Sequence, residues 1–485
     1  MSDPLERPPL GDLPTDEFRR ALHRAADLIA DYVDNPQAHR VTPRLAPGGL
    51  RALLPPAPPA QGEALDALLD DYQSLIVPNS THWNHPGFLA YFANSATAPG
   101  ILGEMLAAAL NVNAMLWRTG PAATELEEHV CDWLRQMMDL PPEFRGHIND
   151  TASISSLLAL AAARQRVGDP SMREAGMSGR SDLPRLTVYA SDQAHSSIDK
   201  ALITLGLGLN SLRRVPVDDA FQMIPAALAE RIDADRQAGM RPFAVVATAG
   251  STSTTSIDPL ERVAEVARSR GVWLHVDAAY AGSAAICPEI RARMAGMELG
   301  DSIVVNPHKW LFTPVDCSVL FLRDPESLRA AFALTPDYLK TTEAGVTNLM
   351  DYGPQLGRRF RALKLWMVIR GFGVEGLRAR IRRHVELAQE FRGWVAADPR
   401  FEICAPSPLS VVCFRLLRGA TPEVQDAAND ALLASVNADG AVLLSSTRLR
   451  GRVVLRVAIG NVRTEREHVH RAWELILAGA GGLPA

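Results

Sequence analysis

His275-Val276-Asp277-Ala278-Ala279-Tyr280 and Asn306-Pro307-His308-Lys309-Trp310 decide how this chain is read. Each begins where a short apolar run ends, at 272–276 and at 302–305. Similar runs stand at 186–190, 243–247 and 317–322, and helical patterns such as 260–269 lie between them. Strands that are apolar on both faces and alternate with helices predict a sheet covered on both sides, hence an α/β fold with a mainly parallel sheet. Ligands of such sheets sit beyond the strand carboxyl ends, and Asp277 and Lys309 both fall at one.

A lysine and an aspartate so placed are what holding pyridoxal 5'-phosphate requires. The amine condenses with the aldehyde to a Schiff base, and the carboxylate keeps the pyridine nitrogen protonated, which makes the ring an electron sink. Taken singly, each residue has a plainer reading. A strand-end aspartate is often a cap, His275-x-Asp277 fits half of a metal site, and a lysine beside proline and tryptophan is commonly solvated. The pair changes the odds, because Lys309 lies between apolar runs where an unpaired ammonium is costly. A phosphate also needs a cradle. Asp150-Thr151-Ala152-Ser153 precedes the Ala/Leu-rich pattern 154–166, and hydroxyls with free amides at a helix N-terminus bind phosphate without arginine. An ordinary N-cap would look the same. Thr252, in the hydroxyl-rich run 250–255, fits a support for ring or phosphate, or a plain loop. His195 follows the run 186–190 and is placed either to stack on a ring or to be a loop histidine.

Outside this region the chain is organised more loosely. Residues 1–14 hold four prolines and read as an arm without a secretory signal. Thr15 is expected to cap an amphipathic helix with Phe18, Leu22, Ile29 and Val33 at helical spacing. The proline-rich stretch 54–59 is a stiff connector, and 101–110 is apolar nearly all round, which predicts burial between domains or subunits. Two helices, 360–370 and 377–395, precede strands at 411–416 and 453–457 and a last helix opened by a Thr464…Glu467 capping box. That is the pattern of a smaller α+β domain. Gly371-Phe372-Gly373-Val374-Glu375-Gly376 matches GxGxxG but follows a helix rather than a strand, so it reads as a break between helices. His82-x-x-His85 has no third ligand near it, and no metal is expected.

The 485 residues are 47% hydrophobic and 22% charged with net charge −5, and no basic run points to nucleic acid or an anionic membrane. No stretch reaches the ~18–20 apolar residues of a membrane span. Five cysteines without CxxC spacing suggest thiols in a reducing, cytoplasmic setting.

With Thr81-His82-Trp83, Tyr91-Phe92, Thr124-Glu125-Leu126-Glu127 and Gly357-Arg358-Arg359-Phe360 added, the chain resembles the group II pyridoxal-phosphate decarboxylases, and among them the aromatic-L-amino-acid decarboxylases. The resemblance runs from about residue 15 to 478. It implies the type I, aspartate aminotransferase-like fold and a homodimer in which both chains line each active site. The implied segments are a helical dimerisation segment at 1–95, a large cofactor-binding domain at 96–372 and a small α+β domain at 373–485. By the same resemblance Lys309 carries the cofactor, Asp277 pairs with the pyridine nitrogen and His195 stacks on the ring. Ala152, Ser153, Asn306 and His308 form the phosphate shell, and Thr252 touches the cofactor. Tyr338, in Pro336-Asp337-Tyr338-Leu339-Lys340, matches a mobile-loop tyrosine that reprotonates the substrate, with His195 assisting.

The implied activity is decarboxylation of tryptophan, tyrosine, phenylalanine or dopa to the amine and carbon dioxide. One alternative is oxygen-dependent conversion to an aldehyde; relatives of that kind commonly carry phenylalanine at the loop tyrosine or asparagine at the stacking histidine, and this chain keeps Tyr338 and His195. Another is a non-aromatic substrate, for which no basic clamp is evident. Trp83, Tyr91, Phe92 and Trp117 suit a flat side chain. Asn94 stands for a usual threonine, Asn113 and Met115 for an isoleucine and a phenylalanine of the partner-contributed wall, and Gly357 leaves room that suits an indole.

Overall fold

The computed structural model describes residues 11–167, 169, 171–334, 343 and 345–482. Among them, seven strands form one sheet: β1 Arg145–Asn149, β2 Leu186–Ser191, β3 Leu212–Val215, β4 Arg241–Thr248, β5 Trp273–Asp277, β6 Ser302–Val305 and β7 Ser318–Leu322. Their order is β1-β7-β6-β5-β4-β2-β3. The pairs from β6 to β3 are parallel, as the apolar runs require. β6 turns back into β7 through the stretch that carries Lys309, so that pair is antiparallel, and so is β7 with β1. Residues of β2, β5, β6 and β7 are buried throughout, because helices cover both faces.

β1 is an edge strand, and an open edge exposes unpaired backbone groups. Side chains close it here. Ile148 donates its N–H to Glu127 Oε1 (2.9 Å), and its carbonyl accepts from Arg358 Nη2 (2.6 Å). Arg358 and Glu127 are themselves paired at 2.9 Å with both side chains buried. A buried ion pair thus stands where a neighbouring strand would be.

The second sheet is antiparallel, with β8 Phe401–Ile403, β9 Val411–Leu416, β10 Ser445–Leu449 and β11 Arg452–Ala458 in the order β10-β11-β9-β8. One helix, Ala362–Ala397, joins the two cores where the sequence pattern suggests two helices. Leu365, Val368, Leu377 and Ile381 belong to the core of the large sheet, Leu387, Phe391 and Val395 to that of the small one. The expected break survives as a single non-helical residue, Gly373 (φ 66°, ψ 166°), a left-handed conformation that glycine adopts without strain.

Two other expectations change, and a third is met only in part within one chain. The first helix is Thr15–Asp34, but Thr15 lies inside its first turn and no side chain caps it. Thr464 forms no capping box, because its hydroxyl donates to the Pro86 carbonyl (2.7 Å) and His468 Nδ1 takes the Glu465 N–H instead (3.0 Å). The apolar helix Ala98–Leu110 buries only one face within the chain. Gly103 lets it lie against the helix Ala362–Ala397, where an added Cβ would stand 2.6 Å from the Lys364 Cα, while Leu102, Leu106 and Leu110 remain exposed.

The N-terminal segment is tied to the chain flanking the small sheet by a Phe88–Leu443 bridge before β10 and by Asn461 Nδ2, after β11, which donates to the carbonyls of Trp83 and His85. His85 is buried there and accepts the Gly87 N–H on Nδ1 (2.8 Å). Burial, followed by the neighbouring His468, His82 and His39, lowers its pKa from 6.5 to about 4. The unfolded chain therefore takes up this proton first. The contribution is full above about pH 6.5 and is lost as pH falls towards 4, amounting to ~3 kcal/mol at most. His85→Gln is expected to flatten the acid limb of the stability–pH curve between pH 6.5 and 4; denaturant unfolding curves parallel to wild type across that window would refute it.

No helix among the described residues is long and apolar enough to cross a membrane. All five cysteines are free thiols.

Candidate active site

β4 and β5 end side by side, with Thr248 opposite Asp277, and Asn306 follows the end of β6. Their side chains meet the N-terminus of the helix Ala152–Arg166 across a cavity of about 230 Å³. Phe92, Thr151, Ala152, Ser153, His195, Thr252, Asp277, Asn306, His308 and Lys309 all line it. All eight residues assigned to the cofactor from sequence are thereby brought to one place. Each sits just past a strand end or at a helix start, although long stretches of chain separate them.

Lys309 lies in the short helix Pro307–Trp310, and its Nζ is 5.2 Å from the centroid of the Phe92 ring. Burial lowers its amine pKa, with Asp277 pulling the other way. A larger share of free amine makes a better nucleophile towards a carbonyl. Asp277 is 7% exposed and accepts the Ala279 N–H on Oδ1 (3.1 Å). His308 accepts the Cys317 N–H on Nδ1 (2.9 Å), which leaves its proton on Nε2. Burial and then the Lys309 charge push its pKa down to about 3, so it is a neutral donor. His195 stands at the mouth and accepts the Ser197 N–H on Nδ1 (3.1 Å). Desolvation lowers its pKa, opposed by Asp277. His275 is not half of a metal site: it is fully buried, with its two nitrogens engaged by Ser156 (3.2 Å) and Ser302 (2.9 Å).

A polar ligand is called for. Asn306 Oδ1 and Thr248 Oγ1 are buried without a hydrogen-bond partner, and both residues line the cavity. An orphaned buried polar atom costs about 1–3 kcal/mol. The N–H groups of Ala152 and Ser153 belong to the first turn of their helix, where no intrahelical acceptor exists and an anion is favoured. A phosphate, a heteroaromatic ring and an aldehyde fit this donor set. The opposite wall is aromatic: Phe92 stacks on Tyr280 (3.7 Å, 12°), Tyr280 on Trp310 (4.5 Å, 6°), and Trp310 Nε1 donates to His384 Nδ1 (2.9 Å).

Residues 47–417 match the pyridoxal-dependent decarboxylase conserved domain. The chain belongs to the pyridoxal-dependent decarboxylase family. The aromatic-L-amino-acid decarboxylase of Sus scrofa is 42% identical to it over 97% of each chain. The phenylacetaldehyde synthase of Arabidopsis thaliana is 41% identical over 96% of each. The crystal structure of Oryza sativa TDC with PLP and tryptamine superposes with a TM-score of 0.92 at 40% identity, covering 97% of this chain and 99% of that one. The decarboxylase therefore has the type I fold, and its cofactor is pyridoxal 5'-phosphate.

Several residues named from sequence lie elsewhere in this decarboxylase. Trp83 and Tyr91 stack at 6.1 Å and are exposed, and neither they nor half-buried Asn94 line the cavity. Asn113, Met115 and Gly357 form a separate cluster. There Asn113 Oδ1 accepts the Arg358 N–H (2.9 Å), and its Nδ2 lies 3.5 Å from Met115 Sδ and 4.0 Å from where a Gly357 Cβ would stand. Tyr338 lies outside the described residues. Thr248 and Tyr280 are additions that sequence reasoning missed. The position of Thr248 at the end of an apolar run, level with Asp277, is the signal that could have found it.

Proposed function

We propose that this decarboxylase removes the α-carboxyl group of an aromatic L-amino acid, of the tryptophan, tyrosine, phenylalanine or dopa type, and releases the amine and carbon dioxide. The observation that carries the reading is the cavity itself, where Lys309, Asp277 and a polar cradle face a wall of Phe92 stacked on Tyr280. Pyridoxal phosphate, when bound, supplies the electron sink for the bond that breaks. Lys309 Nζ is the amine that would hold the cofactor and yield to the substrate amine. Asp277 would hold a proton at the pyridine nitrogen. Ala152, Ser153, Asn306 and His308 would hold the phosphate, with Thr252 beside it. His195 covers the ring face, and Tyr338 delivers a proton to the substrate α-carbon. Purified protein incubated with cofactor and a mixture of the twenty amino acids should release arylalkylamines; an amine from glutamate alone overturns the aromatic assignment.

The likeness to a phenylacetaldehyde synthase supports a second reading, oxygen-dependent formation of an aldehyde on the same scaffold. Tyr338 and His195 favour the amine. Tyr338→Phe is expected to turn the main product from amine to aldehyde with peroxide, and an unchanged amine yield without peroxide sinks that role for the hydroxyl.

The working unit is proposed to be a homodimer with shared active sites. Leu102, Leu106 and Leu110 form an exposed apolar stripe, 51–62% accessible, which a partner would cover. It lies just before Asn113 and Met115 in sequence, and their cluster with Gly357 would complete the partner's substrate pocket together with Trp83, Tyr91 and Asn94. Leu106→Glu should move the sedimentation coefficient from dimer to monomer; an unaltered dimer removes this face from the interface. In this reading residues 1–95 serve dimerisation, 96–372 bind the cofactor and 373–485 form the small domain. The free thiols support a cytoplasmic location, which cell fractionation tests.

A further inference from the structure

Arg456, on β11 of the small sheet, is 4% exposed, and its hydrogen bonds among the described residues go to carbonyls and a hydroxyl rather than to a carboxylate. Burial lowers its pKa, and the neighbours that oppose the shift most, Cys413, Tyr280 and Tyr91, include no carboxylate. A guanidinium buried without a counter-charge costs several kcal/mol unless its donors are matched. They are matched by the loop that follows β4. Nη2 donates to the Thr252 carbonyl (2.7 Å) and Nε to the Ser253 carbonyl (2.9 Å). Nη1 donates to Ser445 Oγ (2.9 Å), which also accepts the Tyr91 N–H (3.4 Å). The guanidinium carbon lies 5.9 Å from the centroid of the Phe92 ring.

Three parts of the chain thus converge on one side chain. Thr252 and Phe92 line the cofactor cavity from the large domain and the N-terminal segment; Arg456 reaches them from the small domain without lining it. The loop it holds contains Thr255 at φ 58°, a left-handed conformation unusual for a β-branched residue, which persists only where surrounding contacts over-determine it.

We propose that Arg456 is a positioning residue of the cofactor site: it fixes the Thr252 rim and the Phe92 wall relative to each other, and so makes cofactor binding depend on the docking of the small domain. Its planar fork reaches three acceptors in divergent directions, a task that a lysine ammonium performs incompletely. The inference rests on the cavity being the cofactor site. That premise is checked separately, since wild type must develop a visible absorption band with pyridoxal phosphate that Lys309→Ala lacks.

The test is a titration of the apoenzymes of Arg456→Met, Arg456→Lys and Ser445→Ala with pyridoxal phosphate, well below their melting temperatures. The visible circular dichroism of the bound cofactor is recorded alongside. Arg456→Met is expected to raise the cofactor Kd by about 10- to 100-fold and to change the dichroic amplitude, and Arg456→Lys to do so less. Ser445→Ala, which keeps the charge and both carbonyl bonds, should give about a 2- to 5-fold rise. Wild-type Kd and dichroism in both arginine variants, with only the melting temperature lowered, would reduce Arg456 to a structural clamp and overturn the proposal. If Arg456→Met does not fold, Arg456→Lys and Ser445→Ala decide, and unchanged Kd and dichroism in both count against it.

Discussion

Asp277→Asn is expected to lower kcat by about 10³-fold, equivalent to ~4 kcal/mol of barrier, while leaving the melting temperature of the apoenzyme close to wild type. The two effects separate because the amide oxygen can still accept the Ala279 N–H that Asp277 Oδ1 now takes, and the volume at the end of β5 is unchanged. What disappears is the negative charge. A neutral amide gives a protonated pyridine nitrogen no electrostatic support, and in a site only 7% exposed at this residue water cannot replace it. The sink is then weaker at the point where the carboxylate bond breaks. Single-turnover rates measured with saturating cofactor isolate this from weaker cofactor binding. A variant within tenfold of wild type would show that Asp277 does not face the pyridine nitrogen.

Glu127→Gln should have the largest effect on stability, ~3–5 kcal/mol, through the charge it abandons. Arg358 is 7% exposed, and its carboxylate partner, 2.9 Å away, is 2% exposed. The same Glu127 oxygen accepts the Ile148 N–H; a glutamine oxygen can still accept it, but without the charge that strengthens the bond, so the closure of the β1 edge is also weakened. β1 leads directly to Thr151 and Ala152, and looser cofactor binding should accompany the lost stability. For a chain of this length the cost corresponds to a fall in melting temperature of roughly 3–5 °C. The exposed Arg382–Glu289 pair is the control, because Glu289→Gln should cost ~1 kcal/mol or less. Equal shifts in the two variants would mean that the Glu127 pair is solvated in solution.

The central strands were legible because each is a continuous apolar run whose burial on both faces needs no tertiary information. β1 and β3 were not. Arg145-Gly146-His147-Ile148-Asn149 and Leu212-Arg213-Arg214-Val215 lack that signature. They are strands because partners at the sheet edges hold them there. The cofactor residues could be read one by one for a related reason, since a ligand beyond strand ends draws on residues at recognisable positions. Arg456 lies in an apolar stretch and could not be assigned, because its meaning comes from carbonyls some two hundred residues away. Asn113, Met115 and Gly357 were named from the resemblance, and a single chain leaves them outside its own cavity.

The stack from Phe92 through Tyr280 and Trp310 to His384 also has an optical consequence. Trp310 is fully buried and adjoins Lys309 in sequence. An indole so placed emits from a dry, rigid setting and lies within resonance-transfer range of any chromophore attached to that lysine. The decarboxylase therefore carries its own fluorescent gauge of cofactor occupancy: emission from this site should dim as the cavity fills and return when the cofactor is stripped away.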